Sequence, residues 1–380
     1  MTHPVIPEGA WRPQAGLDAL LRTTRMMGDD LSPGEDGEDE HATANLLQKL
    51  MNLGALTAGL PVENGGFGLC DSRDGALPLR DLLRHIGRIS LSLGRCLEGH
   101  VNVIRLVALY GSPDQRAELA RSVRRGMLAG IWVTDGDPPV HVTPAGDGFA
   151  LSGVKGFASG VRLAGLALMT ARLPSDETVM VLVPVGDPAR IRRGPGILTG
   201  MMASGTGAYD VTGVSIGPGA IVGRPGDYLR QPEFSAGAWR GAAVALGGLD
   251  RLIDLMRTEL LARERDGNPH QQVRFGQALI ARETAALWTR QAALAAYDTT
   301  SDPGDVSGVV NLARLAVERA GLDVMELVQR GLGLSTFIRG RPVERVMRDL
   351  ATYLRQPAPD ESLTEAAAWF MQHEWPEGAA

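Results

Sequence analysis

Cys96 and His100 stand four residues apart, a spacing that places both on one helix face and would suit a metal pair or a thiol with its base. Two ligands do not make a zinc site, and an interior cysteine near a buried histidine accounts for the pair without chemistry. His141 and His270 are given no catalytic role. Gly205-Thr-Gly207 is followed by no Gly-Lys-Ser/Thr and is not a phosphate-cradling loop. Thr134, Phe157 and Ser159 read locally as a turn or cap threonine, a strand-core aromatic and a turn serine.

The chain that must position these groups has 380 residues, of which 44% are hydrophobic and 22% charged, enough for two or three domains sharing a core. A net charge of −6 argues against a nucleic-acid binder, and the Arg121, Arg124 and Arg125 cluster reads as a solvated helix face. Two cysteines build no disulfide framework and suit a reducing compartment. The first 14 residues lack a signal-peptide pattern, and no apolar run reaches the roughly 18 residues of a spanning helix. The expected location is the cytoplasm.

Three textures follow one another. Up to residue 126 the pattern is helical, with Leu46, Leu47, Leu50 and Met51 and then Leu82, Leu83, Ile86 and Ile89 at three-to-four spacing. Gly28 to Glu40, acidic and glycine-bearing, reads as a solvated loop. From 127 to 225 short runs such as Leu166–Thr170 and Thr178–Val183 sit between glycine, proline and aspartate, the pattern of strands joined by turns. From 226 to 380 helices return, opening with the stripe Leu249, Leu252, Ile253, Met256 and Leu260. The expected class is α+β: an N-terminal helical domain, a middle β-domain and a C-terminal helical bundle.

Four segments carry a resemblance in order and spacing. Leu60-Pro-Val-Glu-Asn-Gly-Gly-Phe-Gly-Leu69 is similar to the vPeeyGGxGl turn of the acyl-CoA dehydrogenases. Tyr110-Gly-Ser-Pro-Asp-Gln115 with Gly126 and Thr134-Asp135 resembles their yGteeQ…G…TEp pattern. Gly153-Val-Lys-Gly-Phe-Ala-Ser-Gly160 resembles GxKxWITN, and Pro342-Val-Glu-Arg-Val-Met-Arg-Asp349 resembles PvErlmRD. The resemblance runs from about Leu46 to Asp349 and implies the acyl-CoA dehydrogenase fold, with its β-barrel-like middle domain.

It also implies a flavin, FAD or alternatively FMN. A flavin ring wants an apolar wall, hydrogen-bond partners along its polar edge and donors for its phosphates. By resemblance Phe157 takes the place of a tryptophan against the ring, Ser159 that of a threonine near the reactive N5, and Thr134 that of a threonine at the pyrimidine edge. Trp132 is a further wall. Arg263 and Gly267 fit an RxxFG segment that reaches a neighbouring subunit's cofactor, with Asp266 in place of its phenylalanine, and Gln329 to Gly333 stand for QxxGGxG. By resemblance Met202, Ser204 and Thr206 mark the MGxRxSxT strand near the substrate, and the pair Trp239 and Arg240, on a later helix, is a separate substrate-side candidate in which Arg240 matches a family arginine. A homo-oligomer, dimer or tetramer, is implied.

Dehydrogenation of an acyl thioester needs a carboxylate base. At the family's two glutamate positions this sequence has Pro357 and Trp239. Asp360 and Glu361 are the remaining catalytic candidates, although after Pro359 they equally read as the acidic opening of a helix. The first expectation is therefore a dehydrogenase-like flavin oxidoreductase with an atypical site and a small-molecule substrate, an acyl thioester by resemblance. The alternative is a monooxygenase on the same fold that takes reduced flavin from a reductase and uses Trp132, Phe157 and Trp239 as apolar walls. Relatives of that kind carry a histidine where Gln356 or Pro357 stands. A third is a non-catalytic relative that binds acyl-CoA or flavin.

Overall fold

In the computed structural model, which describes residues 16–29, 40–194, 196, 198–355 and 357–376, helices open and close the chain and strands fill its middle. The first helices are α1 (Leu17–Asp29), α2 (Glu40–Leu53), α3 (Arg73–Ile89), α4 (Leu91–Tyr110) and α5 (Pro113–Arg124). α3 shows why they form. Leu79, Leu82, Leu83 and Ile86 are buried at helical spacing, while Arg80, Arg84 and Arg88 reach carboxylates at the helix flank. α5 starts at a capping box in which Ser112 and Gln115 satisfy each other's backbone N–H, with Pro113 in the first turn. The acidic stretch expected as a loop gives up its ends: Gly28 and Asp29 finish α1 because Arg88 bonds the Asp29 carboxylate at 2.5 Å, and Glu40 opens α2. Residues 30–39 lie outside the described residues.

Among the described residues ten strands follow: β1 (Leu128–Trp132), β2 (His141–Ala145), β3 (Gly148–Ser152), β4 (Val154–Ala158), β5 (Ala164–Arg172), β6 (Thr178–Pro184), β7 (Ile191–Arg192), β8 (Gly207–Asp210), β9 (Val214–Ile216) and β10 (Ile221–Val222). A seven-stranded sheet runs β10-β6-β5-β2-β3-β9, with β1 added in parallel on β5, and a three-stranded sheet runs β4-β8-β7. Between them lies a core of Trp132, Val142, Leu151, Met169, Val181 and Tyr209. The register of β4 against β8 shifts between Lys155 and Ala158, an irregularity that leaves Gly156 and Phe157 out of the regular pairing while Ala158 pairs with Gly207.

The last helices are α6 (Glu233–Ala236), α7 (Ala238–Ala262), α8 (Pro269–Ala295), α9 (Pro303–Leu332), α10 (Pro342–Tyr353) and α11 (Pro359–Phe370). One apolar core joins α7, α8, α9 and α10 to α3 and α4. The tightest crossing is α3 on α7. A Cβ on Gly87 would lie 2.1 Å from the Val244 carbonyl oxygen, and one on Gly247 2.0 Å from that of Arg84. Glycine at both positions lets the two backbones touch. Arg84–Asp250 at 2.6 Å and Arg88–Asp254 at 2.7 Å close the same seam. That contact fixes α7, and with it Trp239 and Arg240, against α4.

Candidate functional site

The end of β4 collects most of the residues expected on the flavin side. Lys155 is wholly buried and gives its ammonium to the Val133 carbonyl at 2.9 Å, Asp135 Oδ1 at 2.5 Å and Thr170 Oγ1 at 3.0 Å. Burial lowers its pKa, and the Asp135 carboxylate opposes that shift. With Val133 and Asp135 both held, Thr134 between them is fixed and exposed, and its carbonyl accepts the Gly156 N–H at 2.9 Å. Trp132 is buried in the β core and donates its indole N–H to the Ser159 carbonyl at 3.0 Å. Phe157 keeps 47% of its surface open, unusual for a strand aromatic, and offers a ring with no protein lid. Ser159 N–H bonds the Phe157 carbonyl at 3.1 Å, making a tight turn at the strand end.

A line of hydroxyls leads to Ser159. Ser204 Oγ donates to the Met201 carbonyl at 2.6 Å and lies 2.8 Å from Thr206 Oγ1, which also donates to Ser159 Oγ at 3.3 Å. Thr206 has one proton to share between two acceptors, so among these contacts the Ser159 proton stays available to a ligand. The line is anchored from α10. Asp349 Oδ1 accepts the Met201 N–H at 2.6 Å, Arg348 Nη1 donates to the Thr199 carbonyl at 2.9 Å, and Met201 itself is left-handed at φ 60°. Burial raises the Asp349 pKa, and the Met201 N–H works against it. The PVERVMRD segment is thus a clamp on the loop that carries Ser204.

α4 forms the other wall. A Cβ on Gly160, the residue after Ser159, would lie 3.1 Å from Cys96 Sγ, so this helix packs directly on the turn. His100 is fully buried: its Nε2 donates to the Leu56 carbonyl at 2.8 Å and its Nδ1 accepts the Ala129 N–H at 3.0 Å. Burial pulls its pKa down to about 4 and pushes the Cys96 thiol up to about 12. Both are interior packing residues, and among the described residues no group of three or more His, Cys, Asp or Glu is placed to hold a metal. His270 lies in the first turn of α8, because Asn268 caps that helix by accepting the His270 and Gln271 N–H groups.

The opposite face of α4 holds a group that the sequence reading missed. Glu98 is buried and takes Arg95 Nη1 at 2.6 Å, Asn102 Nδ2 at 2.9 Å and the Tyr353 hydroxyl at 3.4 Å. Glu98 raises the Arg95 pKa, while burial and then Glu98 raise that of Tyr353. Arg240, also buried, donates to Asn102 Oδ1 at 2.7 Å and lies over the Trp239 ring at 5.2 Å. Arg240 Nε and Trp239 Nε1 are buried donors without an acceptor among the described residues. Each such group costs on the order of 1–3 kcal/mol until something accepts it. Arg95 and Glu98 three residues apart are the only sequence signal, and most such pairs lie on a helix surface.

The residues expected on the phosphate side meet elsewhere. Arg263 Nη2 donates to Glu259 at 2.6 Å and to Ser335 Oγ at 3.1 Å, and Nη1 to the Leu332 carbonyl at 3.4 Å. Gly333 sits in that turn at φ 66°, and Gln329, half-buried, gives its carbonyl to the Gly333 N–H. Arg341 bonds the same Glu259, so one carboxylate serves two guanidiniums. Asp266 is exposed. Asp360 and Glu361 are exposed in the first turn of α11, where their carbonyls accept the Thr364 hydroxyl at 2.9 and 3.0 Å. Pro357 is exposed, and Gln356 lies outside the described residues.

The architecture, with helices on either side of a middle set of strands, is that of the acyl-CoA dehydrogenase fold. No protein-family model matches the chain. It is 22% identical over 368 residues to a dibenzothiophene monooxygenase of Mycolicibacterium goodii, which covers 85% of this chain and 86% of that protein. Among solved structures it resembles FMN-bound TdsC of a Paenibacillus species (20% identity, TM-score 0.79, 95% and 98% of the two chains). It resembles glutaryl-coenzyme A dehydrogenase in complex with glutaryl-CoA to the same degree (21% identity, TM-score 0.79, 98% and 96%). One fold thus carries both a monooxygenase and a dehydrogenase, and this chain has that fold.

Proposed function

We propose that the chain is a flavin-dependent oxidoreductase and, within that class, a monooxygenase that works on reduced flavin delivered by a separate reductase. The flavin reading is supported by the end of β4. Phe157 offers an open aromatic face, Ser159 a hydroxyl whose proton is uncommitted, and Thr134 a polar group on a segment pinned by Lys155. Reduced flavin, when bound, supplies two electrons with which molecular oxygen is activated. Ser159 would hold a hydrogen bond at the ring's polar edge, Phe157 would cover the ring, and α4 and α7 would keep water from the substrate.

The observation that favours oxygenation over dehydrogenation is the state of the carboxylates. Asp360 and Glu361 face solvent at a helix start. Three carboxylates around α4, α10 and β4 are already engaged: Glu98 by Arg95, Asn102 and Tyr353, Asp349 by the Met201 N–H, and Asp135 by Lys155. Glu233, a carboxylate with an unpartnered buried oxygen, lies at α6 near Tyr110, and no contact among the described residues places it beside Phe157 and Ser159 on β4. Oxygen insertion needs apolar walls and dryness more than a base. The likeness to a monooxygenase over most of both chains supports the same reading. FMN is the favoured cofactor, since Arg263 is occupied by Glu259 instead of being free for a diphosphate.

The test is a visible spectrum of the purified protein loaded with FMN or FAD, followed by anaerobic addition of acyl-CoA esters and, separately, by reduced FMN with oxygen and an aromatic or organosulfur panel. Oxygenated product without bleaching by thioesters supports the proposal. Bleaching by a thioester transfers the chain to the dehydrogenases, and no flavin binding makes it a non-catalytic relative.

A further inference from the structure

The hydroxyl line beside Ser159 has three contacts and two protons to fill them. Ser204 Oγ can give its proton to the Met201 carbonyl at 2.6 Å or to Thr206 Oγ1 at 2.8 Å. Thr206 can give its own to Ser204 at 2.8 Å or to Ser159 Oγ at 3.3 Å. Two hydroxyl oxygens at 2.8 Å need a proton between them, and two arrangements supply it. In the first, Ser204 donates to Met201 and Thr206 donates to Ser204, which leaves the Ser159 oxygen free to accept. In the second, Ser204 donates to Thr206 and Thr206 donates to Ser159, so that each bond polarises the next and strengthens Ser159 as a donor. The Met201 carbonyl tolerates the exchange, because it also accepts the Ser204 N–H at 3.1 Å.

The backbone holds these oxygens in place independently of the hydroxyls. The Gly160 N–H donates to the Ser204 carbonyl at 2.8 Å, and Ala158 pairs with Gly207, which locks the turn after β4 to the loop before β8 on both sides of the line. Ser204 is 1% exposed, whereas Thr206 and Ser159 are half-buried. The line therefore runs from the interior to an open end.

We infer that Thr206 and Ser204 are positioning residues that set whether Ser159 donates or accepts, and so set the preference of the site between oxidised and reduced flavin. The inference rests on the flavin reading. An oxidised flavin offers lone pairs along its polar edge, and reduction places an N–H there. The second arrangement suits the oxidised ring, and the first leaves Ser159 able to accept from the reduced one. Removing the Thr206 hydroxyl abolishes the second arrangement. Removing the Ser204 hydroxyl takes away the inner acceptor and commits the Thr206 proton to Ser159. The two deletions act in opposite directions, which a merely structural role for either residue does not produce.

The experiment is anaerobic titration of the full-length protein with oxidised FMN and with dithionite-reduced FMN, with FAD in the same two forms where FMN does not bind. The readout is the ratio of the two dissociation constants. Thr206→Val should move that ratio toward reduced flavin by roughly threefold or more, and Ser204→Ala should move it toward oxidised flavin by a similar factor. Thr206→Ser, which keeps the hydroxyl, should stay within about twofold of wild type. If Ser204→Ala does not fold, Ser204→Cys, a weaker acceptor, takes its place with the same expected direction. A ratio unchanged in either deletion, shifts in the same direction, or a Thr206→Ser ratio that follows Thr206→Val overturns the inference and leaves the flavin reading standing. A wild-type protein that binds neither form of either flavin retires both.

Discussion

Asp349 and Met201 lie 148 residues apart, and the carboxylate of the first accepts the backbone N–H of the second at 2.6 Å. Through Met201 this bond reaches Ser204, Thr206 and Ser159, so a residue on a C-terminal helix sets a hydroxyl at the β4 edge. Asp349→Ala should lower stability by about 1–3 kcal/mol, the cost of orphaning a buried N–H. It should also weaken FMN binding, because Ser204 loses its fixed loop. Asp349→Asn keeps an acceptor and should restore most of both. Thermal melts and fluorescence titration with FMN check this, and equal FMN affinity in the Ala variant would detach the clamp from the site.

Ser159 and Phe157 carry different parts of the flavin contact. Ser159→Ala should weaken FMN binding roughly tenfold, one hydrogen bond's worth, and shift the flavin absorption band. Phe157→Ala should weaken binding with little spectral shift, since an apolar wall is lost and no hydrogen bond. Both side chains lie at an open strand end, so melting temperatures should stay near wild type. A Ser159→Ala protein with unchanged affinity and spectrum would remove the hydroxyl from the site.

Asp360 and Glu361 give the contrary expectation. Their exposed side chains at the start of α11 act on the helix dipole alone, so Asp360→Asn and Glu361→Gln should each change turnover by less than about twofold and stability by under about 1 kcal/mol. Loss of turnover in either variant would restore it as a base and favour dehydrogenation.

His100 makes stability depend on acid. Its folded pKa of about 4 lies below the ordinary 6.5, so the unfolded chain binds the extra proton between those values. The stabilisation is complete above pH 6.5 and declines as pH falls toward 4, by about 2 kcal/mol at pH 5. Comparison of urea midpoints at pH 7 and pH 5 should show a smaller difference in His100→Gln than in wild type. An identical difference would mean that the imidazole is solvated at pH 5.

The sequence by itself determined the elements and the fold. Stripes such as Leu249, Leu252, Ile253 and Met256 state a helix locally, Thr178–Val183 states a strand, and GVKGFASG and PVERVMRD keep enough of their local pattern to be recognised in order. Both kinds of signal lie within a few residues, where hydrophobic periodicity and turn chemistry act. Only the tertiary structure decided what the polar residues do. Lys155 in isolation is a surface lysine, and it is buried because Val133, Asp135 and Thr170 converge on it from two other segments. Glu98 and Arg95 look like an ordinary exposed pair until α7 and α10 close over α4. Arg263, read as a phosphate ligand, is turned to Glu259 by the approach of Ser335 and Arg341. Burial and hydrogen-bond partners across long chain separations set the charge and availability of each group, and no local pattern encodes them.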